Sequence, residues 1–167
     1  MTLAEINGLD REGLVKQLGW VFEHSPWVAE AAWDAAPFAS IEELHGAMTA
    51  AVAAAPVERQ TELIRAHPDL GARARMSSAS VGEQAGAGLD RLTADEYARL
   101  QELNSAYRER FGFPFIYAVK GSGKHEILRA LTERLSETVE AEHSCALEQI
   151  YRIAQFRLED LFHAPVR

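Results

Sequence analysis

The sequence predicts an all-α fold, a single compact multi-helix domain over residues 1–167 with one irregular segment near residues 112–124. Three observations support this prediction. Apolar residues recur at helical spacing along almost the whole chain. Helix-capping residues precede several of these stretches. Only residues 113–119, an aromatic stretch that contains a proline, have the composition of an extended segment.

The N-terminal third predicts three helices, and each has a recognisable start. Asp10 can cap the first helix. Ser25 followed by Pro26 predicts an N-cap and the first helical position of the second. Ser40 and Glu43 have the spacing of a capping box that opens the third. The apolar residues of these helices are Leu14, Val15, Leu18, Val21 and Phe22, then Trp27, Ala31 and Trp33, then Ile41, Leu44, Met48 and Val52.

The middle of the chain predicts two more helices on either side of a loop. Pro56 opens the first, which runs towards His67. Thr93 and Glu96 form a capping box that opens the second. Residues 71–88 are rich in Ser, Gly and Ala, a composition that favours a loop. The apolar residues of the two helices are Leu63, Ile64, Tyr97, Leu100, Leu103 and Tyr107.

The C-terminal part predicts two helices after a second loop at residues 120–124. Both show apolar residues three or four positions apart, the spacing of one helix face. The first helix is marked by Leu128, Leu131, Leu135 and Val139, and the last by Leu147, Ile150, Ala154, Leu158 and Leu161.

Composition and charge exclude several classes of function. The net charge is −8 at pH 7, whereas nucleic-acid phosphates require a basic face, so no nucleic-acid partner is expected. No run is long and apolar enough to span a bilayer, and we expect neither a membrane partner nor a secretory signal. The single cysteine, Cys145, cannot form an internal disulfide, which favours the cytoplasm. The histidines and this cysteine show no metal-ligand spacing.

His67 is the first candidate for chemistry. Pro68 disfavours α conformation at the preceding residue, so we expect the helix to end there, with the histidine able to point into a cleft. Histidine titrates near neutral pH and therefore suits proton transfer. Considered alone, the position is explained more simply by a surface histidine that closes a helix.

A second candidate is the stretch Ser80-Val81-Gly82-Glu83-Gln84. Ser80 and Glu83 have capping-box spacing, so the simpler interpretation is a helix start. The functional interpretation is a turn in which Glu83 acts as an acid or base. Ser80, Gln84 and backbone N–H groups would then donate hydrogen bonds.

Arg157 is the third candidate, because it lies on the apolar stripe of the last predicted helix. A buried guanidinium needs an anionic partner. A structural ion pair with one of the chain's carboxylates is the simpler interpretation. A fork that binds a substrate carboxylate is the alternative.

Together, these segments resemble one family over nearly the whole chain. The resemblance is to decarboxylases of 2-oxo-4-hydroxy-4-carboxy-5-ureidoimidazoline (OHCU). Each motif alone is weak, but their ordered set is specific. The motifs are, in order, Phe-Glu-His-Ser-Pro-Trp-Val-Ala-Glu at 22–30, Ala-His-Pro-Asp-Leu-Gly at 66–71, Ser-x-x-Glu-Gln-x-x-x-Gly-Leu at 80–89, Phe-Gly-Phe-Pro-Phe-Ile at 111–116 and Arg-Leu-x-Asp-Leu at 157–161.

The resemblance implies an all-helical homodimer that needs no metal and no organic cofactor. It implies a carboxy-lyase that converts OHCU to (S)-allantoin and carbon dioxide in uric acid degradation. OHCU and allantoin would then be its small-molecule partners. Two other functions stay open at this point: a non-catalytic helical binding module, and a hydrolase that acts on a related ureido compound.

The resemblance also implies roles for individual residues. His67 matches the family's catalytic histidine, Glu83 its essential carboxylate and Arg157 an arginine near the substrate, so we expect these three to be catalytic. The implied substrate-binding positions are Pro68, Ser80, Val81, Gly82, Glu83 and Gln84 and, as a backbone wall of the pocket, Phe115, Ile116, Tyr117, Ala118 and Val119.

Overall fold

The computed structural model describes residues 1–71 and 78–163. Within these ranges every regular element is a helix and no β-strand occurs, which confirms the predicted all-α class. The described chain forms two units, one built from residues 1–63 and 151–163 and a second built from the described residues between them. None of the helices in the described ranges has the length and apolar character needed to cross a bilayer.

The first unit is built around three helices, because α3 packs against both α2 and α4. Leu14, Leu18, Phe22, Leu44 and Met48, all predicted to face the core, are almost completely buried. The predicted face of the second helix is wrong, because Ala31 is exposed and α3 buries Val28, Ala29 and Ala32 instead. Val21 and Phe22 are buried but lie beyond the end of α2 at Leu18, not on that helix. The elements of this unit are α1 (Leu3–Asn7), α2 (Arg11–Leu18), α3 (Trp27–Ala32), a 3-10 turn (Trp33–Ala35), α4 (Ile41–Ala53), most of α5 (Val57–Arg65) and the C-terminal part of α9 (Val139–His163).

The helix starts of the first unit agree only in part with the sequence. Asp10 caps α2 as predicted, since its carboxylate accepts the Gly13 N–H at 2.7 Å. Ser40 caps α4, but the box is incomplete because the Glu43 carboxylate accepts the Ala39 N–H instead of the Ser40 N–H.

The predicted N-cap at Ser25 is wrong. Helix α3 begins at Trp27, with Pro26 at the N-cap position and no side-chain cap. The Ser25 hydroxyl donates to the Glu23 carbonyl at 2.9 Å, and its N–H donates to the Phe22 carbonyl. The serine therefore closes the turn before the helix, where local backbone groups compete for its hydroxyl.

The second unit contains α6 (Ser78–Gly86), α7 (Ala94–Phe111), α8 (Lys124–Arg134) and the N-terminal part of α9. Helix α7 packs against α8. The Thr93–Glu96 capping box is confirmed in both directions, at 3.1 Å and 2.9 Å. The core of this unit includes Leu100, Tyr107, Phe115, Ile127 and Leu131.

Two predictions for the second unit are corrected. Residues 78–86 of the predicted loop form helix α6. The buried face of α6 carries the polar residues Ser80 and Gln84, so the spacing of apolar residues does not indicate a helix there. Residues 72–77 of that loop lie outside the described residues. The predicted helix over residues 128–139 is two helices, because α8 ends at Arg134 and α9 starts at Val139. The apolar spacing continues across the turn between them.

The irregular segment lies where the sequence predicts it, between α7 and α8. Helix α7 ends at Phe111 and is capped by Gly112, whose φ of 79° places it in the left-handed region that glycine tolerates best. The chain then runs through residues 113–123 without regular structure. Lys124 already belongs to α8.

We predict that an ion pair between the starts of α7 and α8 makes stability depend on acid pH. Lys124 Nζ lies 2.6 Å from Glu96 Oε1. The hydrogen bond from Lys124, helped by the Thr93 backbone N–H, lowers the pKa of Glu96 from 4.5 to about 2. Because this pKa is depressed in the folded state, the stabilisation is present above pH 4.5 and is lost as the pH falls towards 2.

Thermal unfolding of Glu96→Gln at several pH values tests this prediction. The glutamine keeps the capping-box geometry and removes the charge. Its melting temperature should lie below that of the wild type at pH 7, and the difference should shrink in acid. Glu109→Gln, at an exposed position of the same helix, is the control. A difference for Glu96→Gln that does not change with pH would contradict the prediction.

Candidate active site

The structure buries His67 at the end of α5. The helix ends at Arg65, and the His67 N–H donates to the Ile64 carbonyl at 3.2 Å in the turn before Pro68. Helix termination before the proline is therefore confirmed. Only 6% of His67 is exposed, so it is not the surface histidine of the simpler interpretation.

Helix α7 holds the segment that follows His67. The Asn104 side-chain amide donates to the Leu70 carbonyl at 2.9 Å. The Arg108 guanidinium donates to both carboxylate oxygens of Asp69, at 2.9 Å and 3.1 Å. Asn104 and Arg108 are four residues apart and therefore share one face of α7. These contacts fix the chain between Pro68 and Gly71.

Sequence reasoning missed Asn104 and Arg108. The available indication was a polar residue, Asn104, between the apolar residues Leu103 and Tyr107 on the buried face of a predicted helix. A buried side-chain amide must find a hydrogen-bond partner. The sequence does not show where that partner lies.

Gly71 occupies a position that no other residue fits without strain. Its φ is 71°, and a Cβ added there would lie 2.4 Å from Leu100 Cδ2. Its N–H donates to the Gln84 side-chain oxygen at 2.8 Å. The glycine therefore lets the segment after His67 approach α7 while it is tied to α6.

Helix α6 divides the predicted Ser80–Gln84 site into two faces. Ser80 and Gln84 are 5% and 8% exposed and point inwards, one turn apart. Glu83 is half-buried beside them, and Val81 and Gly82 are exposed. Ser80 lies inside the helix, so the simpler interpretation as its N-cap is wrong. The inward face can offer a hydroxyl and an amide, with a carboxylate at its margin.

The predicted backbone wall is fixed by side chains from two helices. The Ala118 N–H donates to the Gln149 side-chain oxygen at 2.9 Å. The Ile116 carbonyl accepts a hydrogen bond from Arg134 Nη1 at 2.7 Å. Phe115 and Val119 are also buried, and Tyr117 is half-buried. The wall therefore has a defined backbone orientation although it has no regular secondary structure.

Within the second unit, a hydrogen bond connects the end of α5, just before His67, to Gly112, three residues before the wall. Arg65, two residues before His67, donates from Nε to the Gly112 carbonyl at 3.0 Å. The second unit thus contains His67, Pro68, the α6 residues and the wall, and direct hydrogen bonds connect the segments that carry them.

Arg157 lies in the first unit and forms a buried ion pair there. Its Nη2 is 2.8 Å from Glu23 Oε2, and both side chains are at most 3% exposed. Its Nη1 donates to the carbonyls of Trp20 and Val21, at 3.3 Å each. This geometry is the structural ion pair of the simpler interpretation, and the catalytic role of Arg157 stays a prediction.

The described residues contain no cluster of three or more His, Cys, Asp or Glu side chains that could hold a metal ion. The single thiol is also poorly suited to attack a substrate. Burial raises the pKa of Cys145, which keeps it protonated and therefore weakly nucleophilic. The candidate residues His67, Glu83, Ser80 and Gln84 of the second unit carry an imidazole, a carboxylate, a hydroxyl and an amide.

Comparison with known proteins finds similarity to OHCU decarboxylases by family model and by sequence. The family model described as OHCU decarboxylase matches residues 7–159. The chain is 46% identical to the OHCU decarboxylase of Haloferax volcanii, over 97% of this chain and 96% of that protein.

Two solved structures are also similar. One is a crystal structure of (S)-allantoin synthase, with a TM-score of 0.78, 36% identity and coverage of 95% of this chain. The present chain spans 53% of that protein. The other is an OHCU decarboxylase crystallised in the presence of (S)-allantoin, with a TM-score of 0.69, 25% identity and coverage of 81% of this chain and 90% of the other.

The fold and these matches define the chain as a small all-helical decarboxylase, which is a carboxy-lyase. It belongs to the OHCU decarboxylase family. The family membership and enzyme class predicted from the ordered motifs are therefore confirmed.

We predict that Gly71→Ala destabilises the protein by about 2 kcal/mol or more, through the left-handed backbone and the contact with Leu100. Gly46→Ala is the matched control. Gly46 lies in α4 with no atom within 4 Å of an added Cβ, so alanine there should stabilise by about 0.5–1 kcal/mol. Denaturant unfolding measures both changes. A neutral Gly71→Ala would contradict the role assigned to this glycine.

We predict that replacing Arg157 alone destabilises the fold strongly, whereas replacing Arg157 and Glu23 together does not. Arg157→Met alone leaves a buried carboxylate without its cation and should cost about 3–5 kcal/mol. The double variant Arg157→Met with Glu23→Gln should recover most of this loss in urea unfolding. Equal losses in the single and double variants would show that the pairing is not what stabilises this site.

Proposed function

We propose that this protein decarboxylates OHCU to (S)-allantoin and carbon dioxide in uric acid degradation, without a metal or an organic cofactor. The observation that carries the proposal is the family match over residues 7–159, which includes the buried His67. The single-domain arrangement over residues 1–167 belongs to the same proposal.

The substrate explains why a few acid–base groups suffice. Decarboxylation leaves an electron pair that needs a sink. In OHCU the carboxylate is attached to a carbon next to a C=N bond, so the substrate supplies the sink itself. The protein must orient the carboxylate, neutralise charge that develops on nitrogen and deliver a proton to one face.

We assign these tasks to residues of the second unit. His67 acts as proton donor or hydrogen-bonding acid, and Glu83 holds or deprotonates the ring hydroxyl. Ser80 and Gln84 position the ureido arm. The burial of His67, Ser80 and Gln84 supports this assignment, because a site that excludes water strengthens each polar contact. The Gln84 carbonyl oxygen also holds Gly71, so its amide N–H is the group assigned to the substrate.

Pro68, Val81 and Gly82 complete the proposed substrate contacts, together with the wall of Phe115, Ile116, Tyr117, Ala118 and Val119. The wall supports the assignment because its buried backbone groups have fixed directions. Val81 and Gly82 are exposed, so a contact of either residue with the substrate would lie on the solvent-exposed side of α6.

Arg157 is proposed to bind an anionic or carbonyl group of the substrate, and its pair with Glu23 favours the competing structural role. The double variant Arg157→Met with Glu23→Gln separates substrate binding from the structural role. If Arg157 binds substrate, this folded variant should lose at least about 100-fold in kcat/KM. Activity close to that of the wild type would leave Arg157 with a structural role only.

The proposal includes a homodimer in the cytoplasm with OHCU and allantoin as small-molecule partners. The homodimer is what the family resemblance implies, and the single cysteine is compatible with a reducing compartment. Light scattering on the purified protein tests the dimer. A monomeric mass at working concentration would reject it.

The decisive experiment supplies freshly generated OHCU to the purified protein and follows the chirality of allantoin. We expect (S)-allantoin to form faster than in buffer, with and without a chelator, and His67→Asn to abolish the acceleration while helical content is unchanged. Racemic allantoin at the rate seen in buffer would reject the proposed function. Near-normal activity of His67→Asn would remove this residue from the mechanism.

The same experiment separates the two other candidate functions. A binding module would bind allantoin without accelerating the loss of OHCU. A hydrolase would release ammonia or urea instead of carbon dioxide.

A further inference from the structure

The last residue of α8, Arg134, is a partly buried cation that contacts the backbone wall. The Arg134 guanidinium donates from Nε to Glu142 Oε1 at 2.7 Å and from Nη1 to the Ile116 carbonyl at 2.7 Å. Its central carbon lies 4.4 Å from the centre of the Phe115 ring. One side chain therefore contacts two successive residues of the wall, by a hydrogen bond and by a cation–π contact.

A second side chain holds the next part of the wall. Gln149 accepts the Ala118 N–H at 2.9 Å. Gln149 and Glu142 are seven residues apart on α9, which places them on one face of this helix, two turns apart. Helix α9 thus holds the wall directly through Gln149 and indirectly through Glu142, which fixes Arg134.

These two contacts determine the orientation of consecutive peptide groups. A peptide group is planar, and in the trans form its C=O and N–H point in opposite directions. Arg134 fixes the Ile116 carbonyl, so the Tyr117 N–H points away from Arg134. Gln149 fixes the Ala118 N–H, so the Tyr117 carbonyl points away from Gln149. Tyr117 therefore presents a donor and an acceptor, in directions set by residues outside the wall.

We infer that Arg134 and Gln149 are positioning residues of the substrate site, which orient the Tyr117 N–H and carbonyl towards a ligand group that is both donor and acceptor. A ureido or ring amide group has this chemistry. The inference rests on the proposed function, because the wall binds substrate only if that proposal holds.

The surroundings of Arg134 keep this arrangement fixed. Glu142 is 2% exposed and accepts a second hydrogen bond from the Tyr107 hydroxyl at 2.6 Å. Burial and the adjacent Glu142 carboxylate raise the pKa of Tyr107, so this hydroxyl stays a donor. Because Arg134 also compensates the Glu142 charge, its removal would affect folding as well as the wall. The test must separate these two effects.

Arg134→Lys and Gln149→Met are the informative variants. Lysine keeps a cation near Glu142, but its single nitrogen cannot reproduce the forked contact with Glu142 and Ile116 or the planar contact with the Phe115 ring. Methionine fills the space of Gln149 and removes the acceptor for the Ala118 N–H. Arg129→Lys, at an exposed position of the same helix, is the matched control.

The measurements are kcat and KM for OHCU, the fraction of (S)-allantoin and the melting temperature, with the kinetics recorded well below unfolding. We expect Arg134→Lys and Gln149→Met each to lower kcat/KM at least about ten-fold and to lower the fraction of (S)-allantoin, because small displacements of binding groups reduce turnover strongly. Arg129→Lys should stay within about two-fold of the wild type.

A double variant, Arg134→Met with Glu142→Gln, removes both charges and covers the case in which Arg134→Lys does not fold. It should melt higher than Arg134→Met alone and remain at least about ten-fold impaired in kcat/KM. Wild-type kcat/KM and wild-type stereochemistry in the folded variants would overturn the inference. If the wild type and Arg129→Lys both fail to accelerate OHCU decarboxylation, the proposed function fails, and the inference fails with it.

Discussion

The candidate active site depends on how the chain is held between the end of α5 and Gly71. Helix α7 binds this segment through Asn104 and Arg108, and α6 binds it through Gln84. Asn104 and Gln84 bind backbone groups of this segment, and Arg108 binds the Asp69 carboxylate. These contacts hold residues 69–71, directly after Pro68 and the buried His67. A catalytic group whose position is fixed before the substrate binds loses little freedom during the reaction.

The backbone wall is also held by side chains that bind its backbone groups. Buried peptide groups outside helices and sheets need other hydrogen-bond partners, and side chains are one source of them. Here Arg134 and Gln149 supply them from α8 and α9. Polar residues on the inward faces of these helices thus hold irregular backbone in place. The irregular segment can therefore be rigid enough to bind a small ligand, although it has no strand or helix of its own.

Two ion pairs, one in each unit, show a related constraint: both side chains of one are buried, and in the other the carboxylate is buried and the guanidinium partly buried. Arg157 pairs with Glu23, and Arg134 pairs with Glu142. Desolvation of buried charges offsets most of the attraction between them, so such pairs add little net stability. Each guanidinium also donates to backbone carbonyls, at Trp20 and Val21 in one unit and at Ile116 in the other. Both pairs therefore fix the geometry of a loop more than they stabilise the fold.

Local sequence patterns correctly predict the helical class, the caps at Asp10 and Thr93 and the end of a helix before Pro68, and the ordered motifs correctly predict the family. Helical period, capping and the effect of proline act over about four residues, so they can be read locally. The pairing of polar groups that are distant in the chain is visible only in the folded protein. Asn104 reaches Leu70 across 34 residues of the chain, and the partner of Arg157 lies 134 residues away. Such pairings depend on how the helices pack, which no local pattern specifies.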